Sequence, residues 1–151
     1  MMRHIGLLSS LGVLGLALFS SGCSTFNHDW KVAAQNAQPV HDITGAWDGS
    51  WLSDVNGHHG RLRSLMAANG PADYTARFKA RFWKIFTAGY TVRLQARHET
   101  NQPWQLEGEE NLGKLAGGWY HYSAVATPEM FRSTYSNKYD HGTFELKRPK
   151  S

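Results

Sequence analysis

A chain of 151 residues, 41% apolar and 19% charged, is the size of one domain and can fill one core. The aromatic content of 13% and the mixed charges exclude disorder, and a single Cys excludes an intrachain disulfide scaffold. The formal net charge is only +4, but it is unevenly spread along the chain.

Met1-Met2-Arg3-His4 is a short positive start, followed by an apolar run from Ile5 to Phe19. Fifteen residues at 1.5 Å each make ~22 Å of helix, short of a ~30 Å hydrocarbon core. The run therefore reads as the hydrophobic part of a secretory signal peptide covering residues 1–22. Ser20-Ser21-Gly22-Cys23 resembles the bacterial lipobox, with Ser20 where that motif usually has Leu, and the chain's one Cys falls at the lipidated position. The resemblance implies an acylated (palmitate-type) Cys23, a lipoprotein, and a cell-envelope location on a bacterial membrane. Ser24 rather than Asp after the Cys points to the outer membrane under the enterobacterial sorting rule. Two or more acyl chains anchor stably, at ~0.8 kcal/mol per buried methylene. From Cys23 onward 15 Lys and Arg stand against 12 Asp and Glu, a net charge of +3. Residues 23–41 are polar and broken by Pro39, so they read as a tether with a helical turn or two around Trp30-Lys31-Val32-Ala33-Ala34.

From residue 42 to 149 the hydrophobic period is two. Ile43, Trp47 and Trp51 share one parity, and Asn56-Gly57 follows as a turn. Arg61 to Ala68 predicts a second strand, closed by Asn69-Gly70-Pro71. Tyr74, Ala76, Phe78, Ala80 and Phe82 then alternate with Thr75, Arg77, Lys79, Arg81 and Trp83. Residues 73–86 also fit a basic amphipathic helix, but that helix puts Arg81 inside the apolar stripe, whereas a strand sends every basic residue to the other face. The strand reading is preferred. Tyr90, Val92, Leu94 and Ala96 make another run, Trp104 and Leu106 the next, and Tyr120 with Tyr122, Phe131 with Tyr135, and Phe144 with Leu146 complete the set.

About eight strands with short connections require antiparallel neighbours. The expected fold is all-β, an antiparallel up-and-down barrel, with a flattened or open β-sandwich as the alternative. Ile43-Thr44-Gly45-Ala46-Trp47 resembles the Gly-x-Trp opening of the calycin barrels, the lipocalins and avidins, and Gly142-Thr143-Phe144-Glu145-Leu146 is similar to the closing strand of such barrels. That resemblance implies a lipocalin-like barrel and a small apolar ligand of no particular identity.

An eight-stranded barrel is just wide enough to be filled by side chains or to hold one small ligand. Large aromatics on the inward parity, several with polar tips, interleave with small residues (Gly45, Gly49, Ala76, Ala80, Gly118) and favour a pocket. The candidate walls are Trp47, Trp51, Phe78, Tyr90, Trp104 and Tyr120, and the expected ligand is hydrophobic or amphiphilic. The alternative is a solid barrel acting as a non-enzymatic interaction module. Arg61 to Arg97 holds eight Lys or Arg and only Asp73, while His98 to Glu129 holds five Glu and one Lys. These segments can simply pair across strands, for example Arg93 or Arg97 with Glu107 or Glu109. Alternatively Arg77, Lys79, Arg81 and Arg93 form a basic face for anionic envelope components. Nucleic acid is not expected of an exported chain.

His58, His59, His121, Asp140 and His141 suit one end of a barrel, but the chain has no HExxH and no paired Cys, so no metal is expected. A Gly-x-Ser-x-Gly elbow is likewise missing, and Glu107, Glu109 and Glu110 read as solvated rather than as a glycosidase pair. Neither a catalytic residue nor a cofactor is assigned, and the chain reads as a non-enzyme; a hydrolase at the His58/His141 end is the third and weakest class.

Overall fold

The structure is a computed structural model that describes residues 21–36, 38–39 and 41–150, with the side chains of 21–24 left aside. The signal-peptide reading of residues 1–22 thus lies almost wholly outside the described residues, and so does the Cys23 side chain.

Eight antiparallel strands close into one up-and-down barrel: β1 (Gly45–Ser53), β2 (His59–Gly70), β3 (Asp73–Phe82), β4 (Phe86–Arg97), β5 (Trp104–Asn111), β6 (Trp119–Ala126), β7 (Met130–Ser136) and β8 (His141–Lys147). Each strand pairs with its sequence neighbours, and β1 pairs with β8 to complete the ring; the β4–β5 pairing is the short one, joining Leu94–Arg97 to Gln105–Gly108. The segment with the helical rival is β3, paired to β2 and β4 along its whole length. Its basic residues face out while Tyr74, Ala76, Phe78 and Ala80 are buried. That alternation settles strand over helix.

Closure brings strands into very close approach at the β1–β8 seam. A Cβ at Gly49 would lie 1.9 Å from the Glu145 carbonyl oxygen, and one at Gly142 would lie 1.9 Å from that of Leu52. Only glycine lets the two backbones cross there.

The two ends of the barrel differ. The loops joining β2–β3, β4–β5 and β6–β7 lie at the base with both chain termini of the domain, and those joining β1–β2, β3–β4, β5–β6 and β7–β8 lie at the mouth. At the base the fully buried Trp47 packs on Phe131, with Ile43, Leu106 and Leu146 also fully or almost fully buried. The Trp47 indole donates to the Ile43 carbonyl at 3.0 Å. The Arg148 guanidinium sits 3.9 Å from the centre of the Trp47 ring. Its fork donates to the backbone carbonyls of Pro128 (2.6 Å), Thr44 (2.7 Å) and Asp42 (2.9 Å). One cation thus ties the chain before β1, the β6–β7 loop and the end of β8 into a plug.

The segment read as a tether behaves differently. Ser21–Gln35 is one α-helix, α1, rather than a turn or two, and it lies against the outside of the barrel. Phe26, Trp30 and Ala33 fall on one helical face by spacing. Phe26 is 4% exposed. It lies under the Arg63 and Arg77 guanidinium groups, each 5.6 Å from its ring centre. Trp30 donates to the Trp47 carbonyl at 3.0 Å, and Asp29 pairs with Arg77 at 2.8 Å. Its apolar stripe is too narrow to stabilise a helix alone, and the outward arginines of β2 and β3 supply the surface that completes it.

Candidate functional site

The mouth holds a cavity of about 260 Å³ lined by Trp51, Ala80, Phe82, Ala88, Tyr90, Leu112, Ala116, Tyr120, Tyr122, Tyr135, Asp140 and Phe144. Alternation in the upper halves of β1, β3, β4, β6, β7 and β8 aims these side chains inward. Small residues face the aromatics: Ala80 is paired with Ala88 across β3 and β4, leaving space that two larger residues would fill. Ligand pockets run roughly 300–1,000 Å³, so this cavity suits a small molecule or one end of a longer amphiphile.

The wall is an aromatic cluster. Trp51 packs on Phe82 with ring centres 4.8 Å apart and donates its indole N–H to the Arg81 carbonyl at 3.1 Å. Phe144 meets Tyr135 at 5.1 Å and Phe78 at 5.7 Å, and Phe78 stacks on Tyr90 at 5.2 Å. Tyr120 stands 6.2 Å from both Tyr122 and Tyr135.

Polar groups converge on one side of this apolar wall. The Ser53 hydroxyl, fully buried, donates to Asp140 Oδ1 at 2.6 Å, and the Tyr135 hydroxyl lies 3.2 Å from Asp140 Oδ2. Asn137 fixes the Asp140 loop by accepting from the backbone N–H of Tyr139 (2.8 Å) and Asp140 (2.6 Å). Burial pushes the phenols of Tyr90, Tyr122 and Tyr135 well above their ordinary range, and the Asp140 carboxylate adds to the rise at Tyr135. Tyr120 is raised too, by burial first and Asp140 second. These phenols are neutral at physiological pH and present hydroxyls that donate or accept.

Of the six residues expected to wall a pocket, Trp51, Tyr90 and Tyr120 line the cavity. Phe78 lies beneath, against Tyr90 and Phe144. Trp47 and Trp104 are at the base: Trp47 belongs to the Arg148 plug, and Trp104 stacks on His98 with ring centres 3.6 Å apart. Period two gives the inward face but not the height along the barrel axis, so mouth and base residues look alike in the sequence. Phe82, Tyr122, Tyr135 and Phe144 share the inward parity but are not among the six expected walls, and Ala88, Leu112, Ala116 and Asp140 are wall residues that the alternation does not single out. The sequence offers Asp140 only as a member of the His/Asp group at one barrel end, and its place in the wall depends on Ser53, 87 residues away.

The expected basic face is largely engaged by the protein itself. Besides Asp29 on Arg77, Asn27 Oδ1 accepts from Lys79 (3.0 Å) and Arg63 (2.9 Å). Arg93 pairs with Asp73 on β3 rather than with Glu107 or Glu109, and Arg81 is the one of the four whose side chain makes no hydrogen bond or ion pair among the described residues. Glu107 accepts from Ser123 at 2.8 Å, and Glu109 lies 2.8 Å from His121. Among the described residues no three His, Cys, Asp or Glu side chains converge as a metal site.

No protein-family model matches the chain, and no curated protein matches it. Among solved structures it is similar to a de novo designed fluorescence-activating beta barrel, at 15% identity and a TM-score of 0.50 over 70% of this chain and 92% of that one. This likeness concerns the fold: a closed, eight-stranded, all-antiparallel barrel.

Proposed function

We propose that the chain is an envelope lipoprotein, held to a bacterial membrane through acylated Cys23, whose barrel binds a small hydrophobic or amphiphilic molecule at its open end. The observation that carries the binding half is the asymmetry of the interior: packed solid around Trp47 and Phe131 at the base, hollow at the mouth. An apolar wall with a few hydroxyls and one carboxylate on one side is the arrangement that holds an apolar body and orients a polar group. Outward charges on every long strand, among them Arg63, Arg77, Arg93 and Glu145, are the reverse of the lipid-facing apolar band of a membrane-spanning barrel. Among the described residues no helix is long and apolar enough to cross a membrane. We assign no catalytic role.

Two measurements test the halves separately. Saturable quenching of tryptophan emission by a lipophilic probe, lost in Trp51→Phe, supports the cavity; unsaturable quenching, or quenching unchanged in that variant, counts against it. Intact mass of the chain from a bacterial host should show a start at Cys23 with acyl groups, both abolished by Cys23→Ser. An unmodified Cys23 removes the anchor.

A further inference from the structure

The two ends of the barrel carry opposite surfaces. At the mouth, Val55, Trp83, Ile85, Leu115, Trp119 and Tyr139 are large apolar side chains left exposed, Trp83 at 68% and Leu115 at full exposure. None of the three base loops holds an exposed large apolar residue. The loops differ in charge as well, although the chain end at the base adds Lys147, Arg148 and Lys150. Three of the four mouth loops place a lysine next to an exposed apolar residue: Lys84 between Trp83 and Ile85, Lys114 before Leu115, and Lys138 before Tyr139. Of the two acids in the mouth loops, Asp54 faces outward and Asp140 is turned toward Ser53 and Tyr135. The base loops hold Glu99 and Glu129 and no lysine or arginine.

The β3–β4 turn shows that the exposure is held in place. Trp83 and Lys84 both have positive φ (44° and 66°), a conformation that a two-residue hairpin turn normally gives to Asn or Gly. Two bulky residues pay a conformational cost to stand at the tip, and Trp83 is kept there by edge contacts with His58 (5.8 Å) and Phe86 (6.2 Å).

From this surface we infer that the mouth rim is a membrane-docking surface, seating the open end of the barrel against anionic lipid headgroups. Apolar tips a few ångströms deep, aromatic rings at headgroup level and lysines reaching to phosphate are what an interfacial contact requires. Two clefts flanking the cavity repeat this chemistry, one lined by Trp83, Lys84, Arg81 and His58, the other by Trp119, Lys114, Lys138 and Tyr139.

The course of α1 agrees. Asn27 meets Lys79, Asp29 meets Arg77, and Trp30 meets Trp47, so α1 descends as β3 rises. The end of α1 that carries Cys23, the proposed anchor, is therefore directed toward the mouth. This inference rests on the proposed lipoprotein reading for a membrane beside the chain; the rim surface itself does not depend on acylation.

The test uses the full chain on vesicles of phosphatidylcholine and phosphatidylglycerol in equal parts, with the phosphatidylcholine brominated on its acyl chains to quench nearby tryptophans. Trp83 and Trp119 are the exposed indoles among six, so changing them leaves the core intact. Strong quenching is expected in the parent chain, most of it lost in Trp83→Phe/Trp119→Phe and kept in Trp104→Phe at the base. Changing Lys84, Lys114 and Lys138 to Gln should weaken quenching on these vesicles, about fivefold in apparent binding per lysine. Equal quenching in the parent and the Trp83/Trp119 variant overturns the inference. So does concentration-dependent dimerisation without lipid that shields both indoles, which makes the rim an interface between copies. Acylation is read from the intact mass and rim contact from the quenching difference between the parent and the Trp83/Trp119 variant, so failure of the anchor reading and failure of the rim are read apart.

Discussion

Arg148 shows how much one side chain can hold. Its guanidinium faces Trp47 at 3.9 Å and donates to carbonyls on two separate segments, 20 to 106 residues away. Burial pulls its proton affinity below the ordinary arginine value, with Asp42 partly offsetting this. Hydrogen bonds to a charged group contribute ~1.5–3 kcal/mol each but are not additive within one network. Arg148→Ala should therefore cost about 2–4 kcal/mol, read as a lower urea midpoint, and Arg148→Lys should fall between, since it keeps charge but loses the fork. Gly49 makes the opposite point, for it contributes by what it lacks. Gly49→Ala forces a methyl against the Glu145 carbonyl and should cost about 1–3 kcal/mol, whereas Gly89→Ala, with its nearest atom at 3.7 Å, should be neutral or stabilising. Little of this was legible in the sequence. Period two placed the large inward residues correctly: from Ile43 to Leu146 all are buried except Phe82, Tyr90 and Tyr120, which are half-buried and line the cavity. It carries no information on Arg148 or on the carbonyl that Gly49 meets, because those partners are set by barrel closure.

Among the elements, α1 is where sequence reading fell short. A polar segment with three apolar residues at helical spacing does not announce a helix, since its buried face exists only when Arg63 and Arg77 cover Phe26. Phe26→Ala should release α1 without unfolding the barrel: hydrogen exchange at the α1 amides rises by orders of magnitude while the β-strand amides keep their protection. Loss of protection throughout would make α1 part of the barrel's cooperative unit instead. Strands β4, β6 and β7 make a second prediction through their tyrosines. The raised phenols of Tyr90, Tyr120, Tyr122 and Tyr135 bind their protons more tightly folded than unfolded. Above the unfolded value of about 10 the unfolded state therefore holds fewer protons than the folded one, and stability must fall as pH rises. Below that pH these groups make stability flat. Urea midpoints between pH 8 and 11 check this, and Tyr122→Phe should reduce the alkaline decline.

For the whole molecule, the eight-strand count, the antiparallel order and the inward parity could be read from turns and alternation, because neighbouring strands in sequence are neighbours in space. The difference between a plugged base and a hollow mouth could not, since Trp47 and Trp51 sit on the same strand and the same face, two periods of the alternation apart. Ala80→Phe probes that difference directly. In a barrel filled throughout it would cost about 1–3 kcal/mol by overpacking; in a barrel hollow at the mouth the ring enters the cavity, leaving the urea midpoint nearly unchanged and blocking a guest. The most direct measurement is native mass spectrometry of the full chain extracted from bacterial envelopes, beside its Ala80→Phe variant. The prediction is an extra mass on the parent chain that leaves on denaturation and is missing from the variant. A bare mass for both proteins, with no lipophilic probe bound by either, would contradict the binding cavity.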